Sequence, residues 1–222
     1  MGVLQMHAVI LTKSAMKKNG SQGACTTAYD LDTDSIVRFV SSEDGRPIPY
    51  YNANAFNKLD VVDVKVLKPC PSVPQTENLL VDPGSFKNYG HYDPGIRDIF
   101  LRWRKRPVFP RFLGTGAYKL GSVDQFRHSL ELAAVRDFQI KKNQFDSAKA
   151  SFCMLNGTRH NYFSVTDLDF HLKNDENVLN IGRAYIVASI PTSPFFHGEV
   201  NLGYFIFVAS IFPVEDKPQL NL

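Results

Sequence analysis

The stretch from Ile99 to Arg111 reads Ile-Phe-Leu-Arg-Trp-Arg-Lys-Arg-Pro-Val-Phe-Pro-Arg, threading Arg102, Arg104, Lys105, Arg106 and Arg111 with Phe100, Trp103 and Phe109. Guanidinium groups suit phosphates and ring faces suit unstacked bases, so these cations and Trp103 are candidate nucleic-acid contacts. A second reading fits the same pattern: the rings anchor a core and the arginines are solvated. The charge is gathered here. Residues 1–96 carry 9 Lys+Arg against 10 Asp+Glu, 97–149 carry 12 against 5, and 150–222 carry 4 against 7, giving nets of −1, +7 and −3. A chain of net charge +3 that concentrates its cations in the middle is built to hold an anion there.

Enzymatic constellations are weaker. Gly114-Thr-Gly116-Ala-Tyr-Lys119 lacks the Lys-Ser/Thr pair of a phosphate-cradling loop and reads as a turn. His91-Tyr-Asp93 and Asp167-Leu-Asp169-Phe-His171 are drawable as ligands of a divalent cation in a small nuclease. Asp167, however, falls at a strand end, where Asp commonly caps a turn. Gln75-Thr76-Glu77-Asn78, after a Pro-rich run, is expected to pin the first barrel to the connector by side-chain to backbone bonds rather than to touch ligand. The expectation is a protein with no catalytic residue, no cofactor and no metal.

The elements that would position these groups are mainly strands, in two sets. His7–Thr12, Ala24–Leu31, Ser35–Ser41 and Leu59–Leu67 form the first, with Leu79–Val81 as a short fifth. Leu132–Ile140, Ala148–Leu155, Thr158–Thr166, Arg183–Ile190 and Gly203–Phe212 form the second, with Asn156-Gly157 as a type I′ hairpin signal. Asn52–Lys58 and Phe170–Ile181 fill equivalent intervals with short helical crossovers. Three strands, a crossover and two strands is the order of an OB-type barrel. The chain is therefore expected to be mainly β: a first OB-like barrel over 1–82, a basic connector over 83–131, and a second barrel over 132–222. Ser122-Val123-Asp124-Gln125 marks a helix start in the connector.

OB barrels bind ligands across strands two and three and between the loops joining strands one to two and four to five. In the first barrel that selects Lys13, Lys17 and Lys18 of the one-to-two loop and Arg38, expected to face outward with Phe39 inward. In the second barrel it selects Arg159, His160 and Tyr162 near the hairpin, and Phe195 and Phe196 in the four-to-five loop. Lysines in loops and rings tucked onto a barrel end are the plain structural alternatives.

The longest apolar stretch, Tyr204 to Phe212, is far short of the ~18 residues of a membrane span, and Met1-Gly2-Val3-Leu4 opens without a charged leader, so no membrane partner is expected. Cys25, Cys70 and Cys153 are odd in number, widely spaced and form no CxxC pair, which argues against a disulfide framework or a structural zinc and fits a reducing cytoplasm.

Several motifs carry a likeness. Thr12-Lys13-Ser14, Gly23-Ala24-Cys25, Asp30-Leu31-Asp32, Ile36-Val37-Arg38-Phe39-Val40-Ser41, Leu59-Asp60-Val61-Val62, Lys68-Pro69-Cys70-Pro71 and Gln75-Thr76-Glu77-Asn78-Leu79-Leu80-Val81-Asp82 resemble the bacterial dual OB-containing domain family. Val165-Thr166-Asp167, Tyr185–Ser189 and Tyr204–Ile211 resemble its second half. The resemblance implies two barrels that bind nucleic acid or a nucleotide, often within prokaryotic conflict or defence systems, sometimes beside a partner protein of the same system. It transfers no catalytic residue. The expected ligand is DNA or RNA, single-stranded. The rival expectations are an adaptor docking on an acidic partner subunit and, behind it, the metal-dependent nuclease.

Overall fold

The structure, a computed structural model, describes residues 4–15, 23–105, 111–144, 147–170 and 178–214. The first sheet contains β1 (Leu4–Ala15), β2 (Gly23–Asp30), β3 (Ser35–Val40), β4 (Ile48–Pro49), β5 (Asp60–Pro69), β6 (Asn78–Val81) and β7 (Lys87–His91). A one-turn helix α1 (Tyr50–Ala53) stands between β4 and β5. The hydrogen-bonded order is β1-β2-β3-β6-β5, and a β1–β5 pairing returns the sheet to its first strand. β3 and β6 run parallel while the neighbouring pairs run antiparallel. β7, from the segment assigned to the connector, adds to β5.

Helix α2 (Gly95–Trp103) and β8 (Lys119–Leu120) follow, then β9 (Leu130–Lys142), β10 (Ala148–Met154), β11 (Arg159–Val165), β12 (Val178–Ser189), β13 (Phe195–His197), β14 (Val200–Phe205) and β15 (Phe207–Pro213). β10-β11-β15-β12-β9 close a barrel in which β11 and β15 are parallel. Numbered within each unit, both sheets read one-two-three-five-four and back to one. β13, β14 and β8 form a separate three-stranded sheet at one end of the second barrel. Gly203, with φ +82°, permits that sheet, because a Cβ there would lie 2.4 Å from the Leu120 carbonyl oxygen.

The apolar pattern of each strand records how many of its faces are covered. On β1, Met6, Ala8 and Ile10 enter the first core with Val37, Phe39, Phe56 and Val62, while Val9 and Leu11 face the other way and are equally buried. On β9, Ala133 and Val135 enter the second core with Phe138, Phe152 and Phe163, while Leu130 and Leu132 face outward into the same seam as Val9 and Leu11. Tyr29 of β2, Val187 of β12, Phe212 of β15 and Ile99, Phe100 and Trp103 of α2 complete this third core between the barrels. β11 has one covered face: His160 and Phe163 are buried, while Arg159 and Asn161 are exposed.

Three local expectations are corrected. Ser122 starts no helix: its hydroxyl bonds the Asp124 side chain at 2.6 Å in an irregular segment, and the connector's helix is α2 instead. The Asn156-Gly157 hairpin forms, but only Gly157 has positive φ, so a type I turn with a left-handed glycine replaces type I′. The run Gly203–Phe212 is divided between β14 and β15. The helix expected over Phe170–Ile181 falls largely on residues outside those described, and β12 already begins at Val178.

Candidate nucleic-acid interface

The face OB barrels use for ligands is covered in the first barrel. Arg38 points outward from β3, as its alternation with Phe39 requires, but is 4% exposed, so the expectation of an open ligand contact is corrected. Its guanidinium donates to Ser129 Oγ at 2.8 Å, Ser189 Oγ at 3.1 Å and Cys25 Sγ at 2.7 Å, and lies 3.7 Å from the Glu77 carboxylate. Both serines belong to the second barrel's edge. The Gln75–Asn78 block, in the loop between strands four and five, is the pin: Gln75 donates to the Ile190 carbonyl at 3.2 Å and Thr76 to the Arg127 carbonyl, and Glu77 accepts from the Ser129 N–H at 3.2 Å. Asp167 is a second pin. Its carboxylate accepts from Lys58 Nζ at 2.8 Å, from the Ile211 N–H at 2.7 Å and from the Asp169 N–H at 3.0 Å, and Lys58 also pairs with Asp169. His171 of the nuclease reading lies outside the described residues.

The connector's cations divide. Arg102 is committed to the first barrel through the Leu31 carbonyl at 3.2 Å, the Asp34 carboxylate at 2.5 Å and the Tyr29 ring at 5.5 Å. Trp103 is 7% exposed and anchors the seam, which removes it as a stacking platform. Arg111 lies 4.8 Å above the Trp103 ring and Arg104 5.9 Å from the Phe100 ring. Arg104 and Lys105 are exposed. Arg106, Lys17 and Lys18 lie outside the described residues. Lys13 is turned toward its own barrel, donating to the Phe56 carbonyl at 3.2 Å, and burial holds its ammonium pKa below the usual lysine value.

The equivalent face of the second barrel is open. Gln139 and Lys141 of β9, Ser151 and Cys153 of β10, and Arg159 and Asn161 of β11 line a surface cavity of about 430 Å³. Cys153 is paired in register with Arg136 on one side and Arg159 on the other, and Arg136 bonds the carboxylate of Asp137, which also lines the cavity, at 2.7 Å. Burial holds the neighbouring Lys149 below the usual lysine pKa while its ammonium bonds Ser164 at 2.7 Å. Beside this face Tyr162, at φ +68° and 69% exposed, departs from the alternation of β11. Its ring lies 6.3 Å from that of Tyr118, which lies 6.0 Å from Phe205. Lys119 Nζ stands 5.8 Å over Phe205. Phe195 and Phe196 sit in β13, not in an irregular loop tip. Phe195 packs on Phe205 and Phe207 at 5.3 and 6.0 Å, whereas Phe196 is 60% exposed. Cations beside exposed rings suit a single strand, whose phosphates and bases need different partners.

His160 is not part of this face: it is fully buried between the rings of Phe152 and Phe163, and burial holds its pKa below the ordinary histidine value. Tyr118, Lys119, Gln139, Lys141 and Asn161 were not expected here. Asn161 was readable from its two-residue spacing to Arg159, whereas Tyr118 and Lys119 reach the face only through the β8–β14 pairing.

Two barrels of one strand order, one offering its ligand face and the other closed, constitute an OB-fold binding module. The chain belongs to the dual OB-containing domain family, whose model matches residues 6–211. No curated protein matches it at a significant level. Among the described residues no helix is long and apolar enough to cross a membrane.

Proposed function

We propose that the protein is a non-enzymatic module that binds single-stranded nucleic acid on the outer face of β9–β11 of its second barrel. The conflict or defence setting implied by the family resemblance is its proposed biological context. The observation that carries the reading is that this face, the one OB barrels use, is open and bears Arg159, Lys141 and Asn161 beside the exposed ring of Tyr162. Lysine and arginine hold the phosphates, Asn161 and Gln139 offer hydrogen bonds to base edges, and Tyr162 and Phe196 stack bases.

The test is binding of the full chain to a labelled single-stranded oligonucleotide across a salt series. About three neutralised phosphates give a log–log slope near −2, at roughly −0.7 per contact for single strands. Arg159→Glu combined with Lys141→Glu should remove binding with folding intact. A flat salt response would favour an adaptor that docks on an acidic partner. Unchanged affinity in the double variant would overturn the assignment of the face.

A further inference from the structure

A second cavity, of about 410 Å³, lies between α2 and the β10–β11 hairpin, lined by Phe100, Arg104, Arg111, Glu131, Met154 and Asn156 among others. Its volume falls in the range of small-molecule pockets, about 300–1,000 Å³. The unusual member is Glu131, which is fully buried. Its Oε2 accepts the Leu113 N–H at 3.0 Å, while Oε1 is out of solvent and has no hydrogen-bond partner. The Phe112 and Leu113 backbone N–H groups and Arg111 favour the charged form. Buried acceptors are almost always paired, so an orphaned oxygen on a residue that lines a cavity calls for a donor from outside the chain. At the same cavity stand two guanidiniums, that of Arg111 held against Trp103 and that of Arg104 exposed just past the C-terminus of α2.

We propose that this cavity binds a guanine nucleotide, its ring and amino N–H groups donating to Glu131 and its phosphate held by Arg104 and Arg111. A carboxylate is a forked acceptor, and guanine alone among the common bases carries two adjacent N–H donors on one edge. Phe100 and Met154 supply apolar surface for the ring, and guanidinium forks match phosphate oxygens. Burial pushes the carboxyl up to about 7, in keeping with an acceptor that lacks its donor. The site does not depend on the open face of the second barrel. The same chemistry is offered by a free nucleotide and by a guanosine at the end of a strand.

Calorimetric titration of the full chain at pH 8 with GMP, IMP and AMP tests it. GMP should bind saturably, IMP at least 10-fold more weakly because it lacks the amino group, and AMP more weakly still. Arg104→Ala should weaken all three by a similar factor, and Glu131→Gln should erase the preference of GMP over IMP. If Glu131→Gln does not fold, the three nucleotides on the unaltered protein still decide: equal affinities, or no saturable binding at millimolar GMP, overturn the proposal. Competition with GMP by a short oligonucleotide ending in guanosine but not in adenosine identifies a strand end as the natural source; a GMP site indifferent to both oligonucleotides identifies the free nucleotide.

Discussion

The two barrels share a strand order and use it in opposite ways. In the first, the outer face of β2 and β3 is given to Arg38, Tyr29 and the seam, and the loop between strands four and five is the Gln75–Asn78 pin. In the second, the matching face carries Arg159 and Asn161 in solvent, and the matching loop has grown into the β13–β14 hairpin bearing Phe196. The difference lies in what covers a strand, not in how strands connect. A ligand face becomes a docking face when its exposed positions become apolar and its cation finds a carboxylate within the seam, as Arg38 finds Glu77.

Breaking the docked side should have the largest effect. Arg38→Ala leaves Glu77 without its cation in the seam and should cost about 3–5 kcal/mol of unfolding free energy by denaturant titration, with oligonucleotide affinity per folded molecule unchanged. A loss of affinity without a loss of stability would mean that the first barrel's face is not closed.

Glu131 sharpens the comparison through pH. Its carboxyl is raised from 4.5 to about 7 by burial, opposed by the Leu113 N–H and by Arg111. A raised acid favours the folded state most when protonated, so its contribution is full below about 4.5 and is lost as pH rises through about 7. The interval corresponds to roughly 3 kcal/mol. Stability curves of the natural protein and Glu131→Gln, measured from pH 4 to 8.5, should therefore diverge by about that amount in this direction; parallel curves would count against a buried neutral carboxyl.

On the open side, Tyr162→Ala should weaken single-strand binding by about 1–3 kcal/mol with the salt slope unchanged, because a ring neutralises no phosphate. Phe196→Ala should do the same in anisotropy titrations, whereas Phe195→Ala should mainly lower the melting temperature, since that ring packs on Phe205 and Phe207. Equal affinity losses for both phenylalanines would make the β13 hairpin a stacking surface throughout. The smallest effect is expected at Lys13→Ala, whose ammonium serves the Phe56 carbonyl, with affinity within about 0.5 kcal/mol of the natural protein.

Much of the architecture was legible. Short β-branched runs and two crossover intervals gave the OB order in both halves, and the run Ala8-Val9-Ile10-Leu11 is apolar at every position, as a strand covered on both faces is. What covers it was not legible, because seam and core residues are chemically alike. Arg38 illustrates the limit: alternation put it outward, but its counter-charge lies 39 residues away at Glu77 and its serine partners in the other barrel. His160 was misjudged because a histidine beside Arg159 looks like part of a polar patch until the register with Phe152 turns it inward. Glu131 left a signal, a carboxylate within Leu-Glu-Leu-Ala-Ala-Val at an inward position, but only the cavity gives that signal meaning.

The seam also sets an order of events during synthesis. Val9 and Leu11 are made first, yet part of their cover, Phe212 on β15, is made about 200 residues later, a delay of roughly 10–40 s at 5–20 residues per second. Until that cover is complete the first barrel, even with its own core formed, presents part of the apolar side of β1 together with Tyr29 and Ile36 to the surrounding medium. Nascent chains halted before β12 should consequently be sticky, and the arrival of β12 and β15, rather than closure of the first barrel, becomes the moment at which that surface is covered.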